Sequence, residues 1–219
     1  MNRTIISSRP TFSRQRNGSL QDSSRKVPPP LILASASPAR RGQLESLGLA
    51  FAVQTSDIRE EEWKGCRWPV RTLAKRLAIA KAEAVFERSR DAVVVAGDQI
   101  ASLDGEPFDK PGDEENAKAQ LRRLTGRTLE LSTGVAVAHA RGIDSHVEQV
   151  LMTMRELGDA EIEAYVEQDR PLDCAGCFRW ESRGALLFSK VTTNDPTAIL
   201  GLPIIWLGEL LRKLGYRLP

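Results

Sequence analysis

Hydrophobic and polar positions fall in blocks along the chain, and each block carries the period of a strand or of a helix. Leu31-Ile32-Leu33-Ala34 is a short apolar run that predicts a buried strand. Ser35 to Pro38 breaks that period. Ser37 is an N-cap residue type, Pro38 suits the first helical position, and Leu44 and Leu47 share one face, so a helix is predicted from Ala39 with Gly48 as its stop. Phe51 to Gln54 reads as a second strand and Ser56 to Lys64 as an acidic loop. Pro69 opens a long helix with Leu73, Leu77 and Ala80 on one face, continued by Ala84 and Val85, and with Lys81 along it. Ala92 to Ala96 predicts a buried strand that delivers Gly97-Asp98-Gln99 at its C-terminal end, after which the chain stays extended to a turn at Asp104-Gly105. A loop from Pro107 to Gly112 carries Lys110, and Asp113 then caps a helix that Gly126 ends. Leu129 to His139 and Val147 to Met154 read as antiparallel strands, and Asp159 caps a short helix through Val166. Strand-like pieces from Phe178 to Val191 are broken at Gly184; Asn194-Asp195-Pro196 is a turn, and Pro203 starts a closing amphipathic helix. No repeat of fixed period occurs, and the interleaving of strands with helices predicts an α/β fold with a partly parallel sheet.

Composition narrows the picture. The 219 residues give room for one generous domain or two small lobes, and 41% hydrophobic with 27% charged residues is ordinary for a soluble globular protein. A formal charge of +2 is too small to argue for a stable nucleic-acid partner or a membrane surface, and no apolar run approaches the roughly 20 residues that span a bilayer. Cys66, Cys174 and Cys177 make no disulfide framework and point to a reducing, cytoplasmic compartment. Residues 1–30 are rich in Ser and Arg, nearly free of acid, and end in three prolines. They read as a disordered basic tail ahead of a domain at 31–219, although a transit peptide has a similar composition.

The chemistry candidates follow from placement. A strand feeding a helix N-terminus leaves free N–H groups at Ser37 that attract anions, and Arg40 and Arg41 in the first turn complete a phosphate site in outline. The plain alternative is an ordinary strand–turn–helix with two solvated arginines. Asp98 ends a buried strand, where open α/β folds place their ligands, and suits a divalent ion or a proton from water. Glu60, Glu61 and Glu62 offer further oxygen ligands for a hard cation, and Lys81 and Lys110 become phosphate candidates beside the arginines. Cys174-Ala175-Gly176-Cys177 has metal or redox spacing but lacks two further zinc ligands nearby, and His139 and His146 read as polar surface. There is no Walker or Rossmann fingerprint.

Several stretches in order, LILASASPARRGQLESLGL from Leu31, LAIAKA from Leu77, VVVAGDQI from Val93, LDGEPFDKP from Leu103, STGVAV from Ser132, CAGCF from Cys174 and NDPTAILGLPI from Asn194, resemble the Maf family of nucleoside triphosphate pyrophosphatases over about residues 31–215. The resemblance implies a two-lobed Maf/ITPase-like α/β fold, with a central mixed sheet flanked by helices and a cleft between lobes. It also implies a divalent metal (Mg²⁺, Mn²⁺ or Co²⁺), often a homodimer, and cleavage of a nucleoside triphosphate to the monophosphate and pyrophosphate. By position, Asp98 matches the family's proton acceptor; Ser37, Arg40 and Arg41 its phosphate-binding turn; and Glu60, Lys81 and Lys110 its other charged cleft residues, with Glu60 and Asp98 as metal ligands. Gln99 and Glu181 are similar to the branch that hydrolyses 7-methyl-GTP, whereas the dTTP/UTP branch has Thr and Gln there. Ala39 departs from that branch's usual Trp, and Trp180 is expected to stack on the base instead. The resemblance also carries two alternatives: dTTP/UTP hydrolysis, and a nucleotide-binding regulator tied to arrest of septum formation.

Overall fold

In the computed structural model, residues 27–64 and 68–219 are described; Cys66 and most of the basic N-terminal segment lie outside them. One mixed sheet of seven strands organises the chain. β1 (Leu31–Leu33) lies between β2 (Ala52–Val53) and β3 (Val93–Leu103), parallel to both. Beyond β3 the sheet turns antiparallel, through β5 (Thr128–His139), β6 (Gly142–Met154) and β7 (Phe188–Thr192), while β4 (Glu106–Pro107) folds back on the end of β3. The helices are α1 (Pro38–Glu45), α2 (Glu61–Lys64), α3 (Val70–Phe86), α4 (Glu114–Leu124), α5 (Asp159–Asp169) and α6 (Ile204–Lys213). Among the described residues no helix is long and apolar enough to cross a membrane.

β3 is where two lobes meet. Val93 and Val95 pack with Leu33, Leu44, Leu207 and Leu211 on one face of the sheet, while Val94 and Ala96 pack with Ala78, Ala82 and Val85 on the other. Ala101 and Leu103, further along the same strand, belong to a separate core with Leu121, Met152, Ile162 and Phe178. β1 pairs with β3 only as far as Val95 and β4 only from Ser102, so this edge of β3 opens between them. Asp98 and Gln99 sit in that opening.

The structure departs from the sequence pattern in informative places. The buried stripe of α3 is Leu73, Ala74, Leu77, Ala78, Lys81, Ala82 and Val85, rotated from the expected face so that Lys81 points inward and Ala80 and Ala84 are half-buried. Small residues there let the helix lie close on the sheet. A Cβ at Gly134 of β5 would come within 2.4 Å of the Ala74 carbonyl oxygen. The acidic segment ends in the helical turn α2, and β6 starts at Gly142, five residues before Val147. α5 is capped by Gly158, whose N–H donates to Glu161 Oε2 at 3.0 Å, because the Asp159 carboxylate is drawn instead to Arg122 at 2.6 Å. Only Phe188–Thr192 of the stretch after Cys177 is strand; the rest folds into turns and the 3-10 segment Gly184–Leu187.

Candidate active site

A cleft of about 980 Å³ opens between the lobes at the β3 edge, with its lining drawn from both. Strand alternation sorts the two neighbours on β3. Asp98 turns toward α3, where its Oδ1 accepts from Lys81 Nζ at 2.6 Å, and Lys81 Nζ also reaches Glu60 Oε1 at 2.8 Å. Lys81 and Asp98 are both buried, and Glu60 is partly exposed. Of the three consecutive glutamates it is Glu60 that meets Lys81; Glu62 pairs with Arg59 on the surface. Gln99 turns the other way, and its Nε2 donates to Thr133 Oγ1 (2.9 Å) and to the carbonyls of Ala198 (2.8 Å) and Ile199 (3.2 Å). The amide nitrogen is therefore committed, which fixes the orientation of Gln99 at the cleft wall.

One end of the cleft is built by the turn between β1 and α1. Ser37 is the N-cap, its Oγ accepting from the Arg40 N–H at 3.4 Å, and Ser35 Oγ accepts from the Ser37 N–H at 3.2 Å. The Arg40 side chain folds back over this turn, donating through Nη1 to Ser35 Oγ (3.2 Å) and through Nε to the Gly201 carbonyl (3.1 Å). Burial lowers the Arg40 pKa from its ordinary value, while the charges of Asp98 and Glu60 act to raise it. This close packing needs two glycines. A Cβ on Gly201, at φ +107°, would lie 2.8 Å from Arg40 Nε, and one on Gly97 would lie 3.1 Å from it. Gln43 ties α1 to the opposite wall through the carbonyls of Thr197 (2.8 Å) and Leu202 (2.9 Å).

Ser37, Ala39, Arg40, Glu60, Lys81, Asp98, Gln99, Lys110 and Glu181 therefore share one cleft, with Lys110 exposed at its rim. Arg41 stands apart. A helix turns about 100° per residue, so the side chain after Arg40 leaves the cleft, and Arg41 pairs with Glu45 at 2.8 Å on the exposed face of α1. At the far end lie Phe178, Arg179, Trp180 and Glu181. Trp180 is half-buried and tilts against Phe188 (centroids 6.2 Å apart), which in turn meets Phe178 edge-on at 5.0 Å. Glu181 is exposed to the cleft.

Sequence reasoning missed the residues that shape this end. Asp169, the last residue of α5, is buried and accepts from Ser182 and Arg183, and Asp173 pairs with Arg179 at 2.7 Å. Ser35, Gln43 and Thr133 were equally silent, because a single polar residue in a turn, helix or strand carries no period. The two cysteines part: Cys174 is half-buried at the cleft, while Cys177 is buried with Sγ donating to Gln120 Oε1 at 2.9 Å, and burial pushes its thiol up to about 12. Neither histidine is plain polar surface. His139 is buried on Asp144 (2.8 Å), and His146 stacks on Trp206 while contacting Glu148.

The family model described as Maf-like protein matches residues 30–214. The chain belongs to the Maf family. Maf relatives named 7-methyl-GTP pyrophosphatase align along most of it. That of Cupriavidus pinatubonensis (strain JMP 134 / LMG 1197) is 42% identical over 190 residues, covering 86% of this chain and 94% of the relative. The protein of Aromatoleum aromaticum (strain DSM 19018 / LMG 30748 / EbN1) is 44% identical over 191 residues, with 86% and 97% covered. That of Xanthomonas oryzae pv. oryzae (strain MAFF 311018) is 40% identical over 191 residues, with 87% and 100% covered. The mixed sheet, the separate cores toward the two ends of β3 and the cleft between them are the two-lobed arrangement that the Maf resemblance implied.

Proposed function

We propose that the chain hydrolyses 7-methyl-GTP between its α and β phosphates, releasing 7-methyl-GMP and pyrophosphate, and so keeps the modified nucleotide from polymerases. The observation that carries this reading is the sharing of one cleft by the Asp98–Lys81–Glu60 cluster, the Ser37–Arg40 anion turn and the Glu181 carboxylate. The names of the Maf relatives support it. In this account the triphosphate lies on the α1 N-terminus with Arg40 and Lys110 against its charge. Lys81 holds Oδ1 of Asp98, leaving Oδ2 to orient a water and take its proton as the water oxygen bonds to the α-phosphorus and pyrophosphate leaves. At the base end, Glu181 accepts the two N–H groups of the guanine edge, and Trp180, braced on Phe188, stacks on the cationic 7-methylated ring. Ala39 is too small to supply that stacking.

Glu60 and Asp98 meet on Lys81 and are oxygen donors of the kind that Mg²⁺ or Mn²⁺ takes together with substrate phosphates; among the described residues no third His, Cys, Asp or Glu joins them, so they would hold a divalent ion only with the nucleotide's phosphates completing its ligands. Such an ion would polarise the α-phosphate and offset charge on the departing pyrophosphate. Arg41, placed outside the cleft, is left with a surface role in this account. The cytoplasm is the setting that the reduced cysteines suit, and a homodimer is the assembly implied by family likeness.

The test is pyrophosphate release from 7-methyl-GTP, GTP, dTTP and UTP with Mg²⁺, Mn²⁺ or Co²⁺, for the native chain and for Glu181→Gln. The reading predicts the highest kcat/KM for 7-methyl-GTP and a drop of about 10- to 100-fold for that substrate in the variant, the range for losing one bidentate base contact. A native preference for dTTP or UTP overturns it.

A further inference from the structure

Glu181 sits in a turn, and a carboxylate that reads a base edge has to be held in place. The turn from Arg179 to Gly184 closes on itself through Gly184 N–H to Arg179 O (2.9 Å) and Ser182 N–H to the same oxygen (3.2 Å). Gly184 is required by this closure, since a Cβ there would lie 2.4 Å from Arg179 O. What fixes the turn in the cleft is a helix. α5 presents Tyr165 and Asp169, four residues apart and so on one face, to the two ends of the turn. At the first end, the Arg179 N–H donates to Tyr165 Oη at 3.0 Å. At the second, Asp169 Oδ2 accepts from the Arg183 N–H (3.0 Å), and Oδ1 accepts from Arg183 Nη1 (2.9 Å) and Ser182 Oγ (3.2 Å). The Asp169 side chain is 1% exposed although its partner Arg183 is open to solvent. A buried carboxylate spending three acceptor contacts on two consecutive residues is a built anchor rather than a surface ion pair. Between the two grips lie Trp180 and Glu181.

We propose that Tyr165 and Asp169 are positioning residues for base discrimination, setting the place of Glu181 and Trp180 from the face of α5. This rests on the reading of Glu181 as the guanine-edge acceptor. Neither residue belongs to the Asp98–Lys81–Glu60 cluster, so their effect falls on recognition of the base and not on the reacting phosphate.

The experiment measures kcat and KM for 7-methyl-GTP and UTP in the native chain, Asp169→Asn, Tyr165→Phe, Glu181→Gln and the double variant Asp169→Asn/Glu181→Gln. Asparagine keeps the shape of aspartate but cannot accept on both sides. Expected for Asp169→Asn is a rise of about 5- to 20-fold in KM for 7-methyl-GTP, the scale of a displaced charge-assisted contact, with kcat within about twofold and UTP kinetics little moved. Because the effect runs through Glu181, Asp169→Asn should add almost nothing on the Glu181→Gln background. Equal losses for both substrates, or fully additive effects in the double variant, overturn the proposal. If Glu181→Gln itself leaves discrimination intact, the base reading fails instead, so the two failures are separable. Should Asp169→Asn not fold, Tyr165→Phe, which removes one hydroxyl, decides by the same split: a KM rise confined to 7-methyl-GTP supports the proposal, and an unchanged KM rejects it.

Discussion

In the proposed mechanism Asp98 is the proton acceptor. Its strand places it at the opening of the β3 edge and its alternation aims it at Lys81, so Asp98→Asn keeps the shape of the side chain and removes its proton acceptor. Turnover is expected to fall by about 10²- to 10⁴-fold, with nucleotide binding by calorimetry retained. Loss of turnover with an unchanged growth phenotype would instead favour the regulatory alternative. Gly201→Ala tests the packing around the anion turn. Its Cβ would meet Arg40 at a backbone angle that L residues rarely adopt, so a loss of about 1–3 kcal/mol by denaturant titration and a raised KM are expected. Trp180→Ala should raise KM for 7-methyl-GTP more than for GTP, because only the methylated ring is cationic; equal changes would remove the stacking account. At this scale the sequence showed much. Asp98, Lys81, Glu60 and Arg40 come from separate blocks, and the structure brings all four to one cleft. Arg41 lies outside the cleft, on Glu45, because adjacency in sequence says nothing about which side of a helix turn a side chain takes.

Among the elements, β3 was legible as a buried run that stays extended to the Asp104-Gly105 turn, but not as a strand that passes from one core to another. α3 shows the limit of apolar patterning. Lys81 on its buried face looks like a surface lysine until Asp98 and Glu60 are seen to satisfy it. α5 reveals nothing in sequence of its grip on the turn from Arg179 to Gly184, because Asp169 has the spacing of any helix-end aspartate. Its ionisation gives an element-scale prediction. Burial alone would raise the Asp169 pKa, but hydrogen bonds from Arg183 and Ser182 outweigh it and hold the carboxyl below its ordinary value. Glu148, where burial is outweighed by donors from Thr193, Asn194, His146 and Asp195, behaves alike. A depressed folded-state pKa contributes stability that is whole above the unfolded value and disappears as pH falls through the folded one. The difference in Tm between the native chain and Asp169→Asn should therefore be constant from neutral pH to about 5 and shrink below about 4, followed by calorimetry across pH.

For the whole molecule, the two lobes share one sheet, and the cleft exists because β1 and β4 leave the middle of β3 uncovered on one edge. The N-terminal boundary belongs to this scale. The Pro29 carbonyl accepts from Tyr216 Oη at 2.7 Å and the Pro30 carbonyl from the Val93 N–H at 2.8 Å, so the fold takes hold slightly before residue 31. A chain starting at Leu31 loses both acceptors and should have a Tm roughly 2–6 °C below that of one starting at Val27. The central claim concerns which phosphorus the water attacks. Hydrolysis of 7-methyl-GTP in ¹⁸O-water, read by ³¹P NMR or mass spectrometry, answers it directly. The account predicts one ¹⁸O in 7-methyl-GMP and none in pyrophosphate; label in pyrophosphate, or release of orthophosphate in its place, would contradict it.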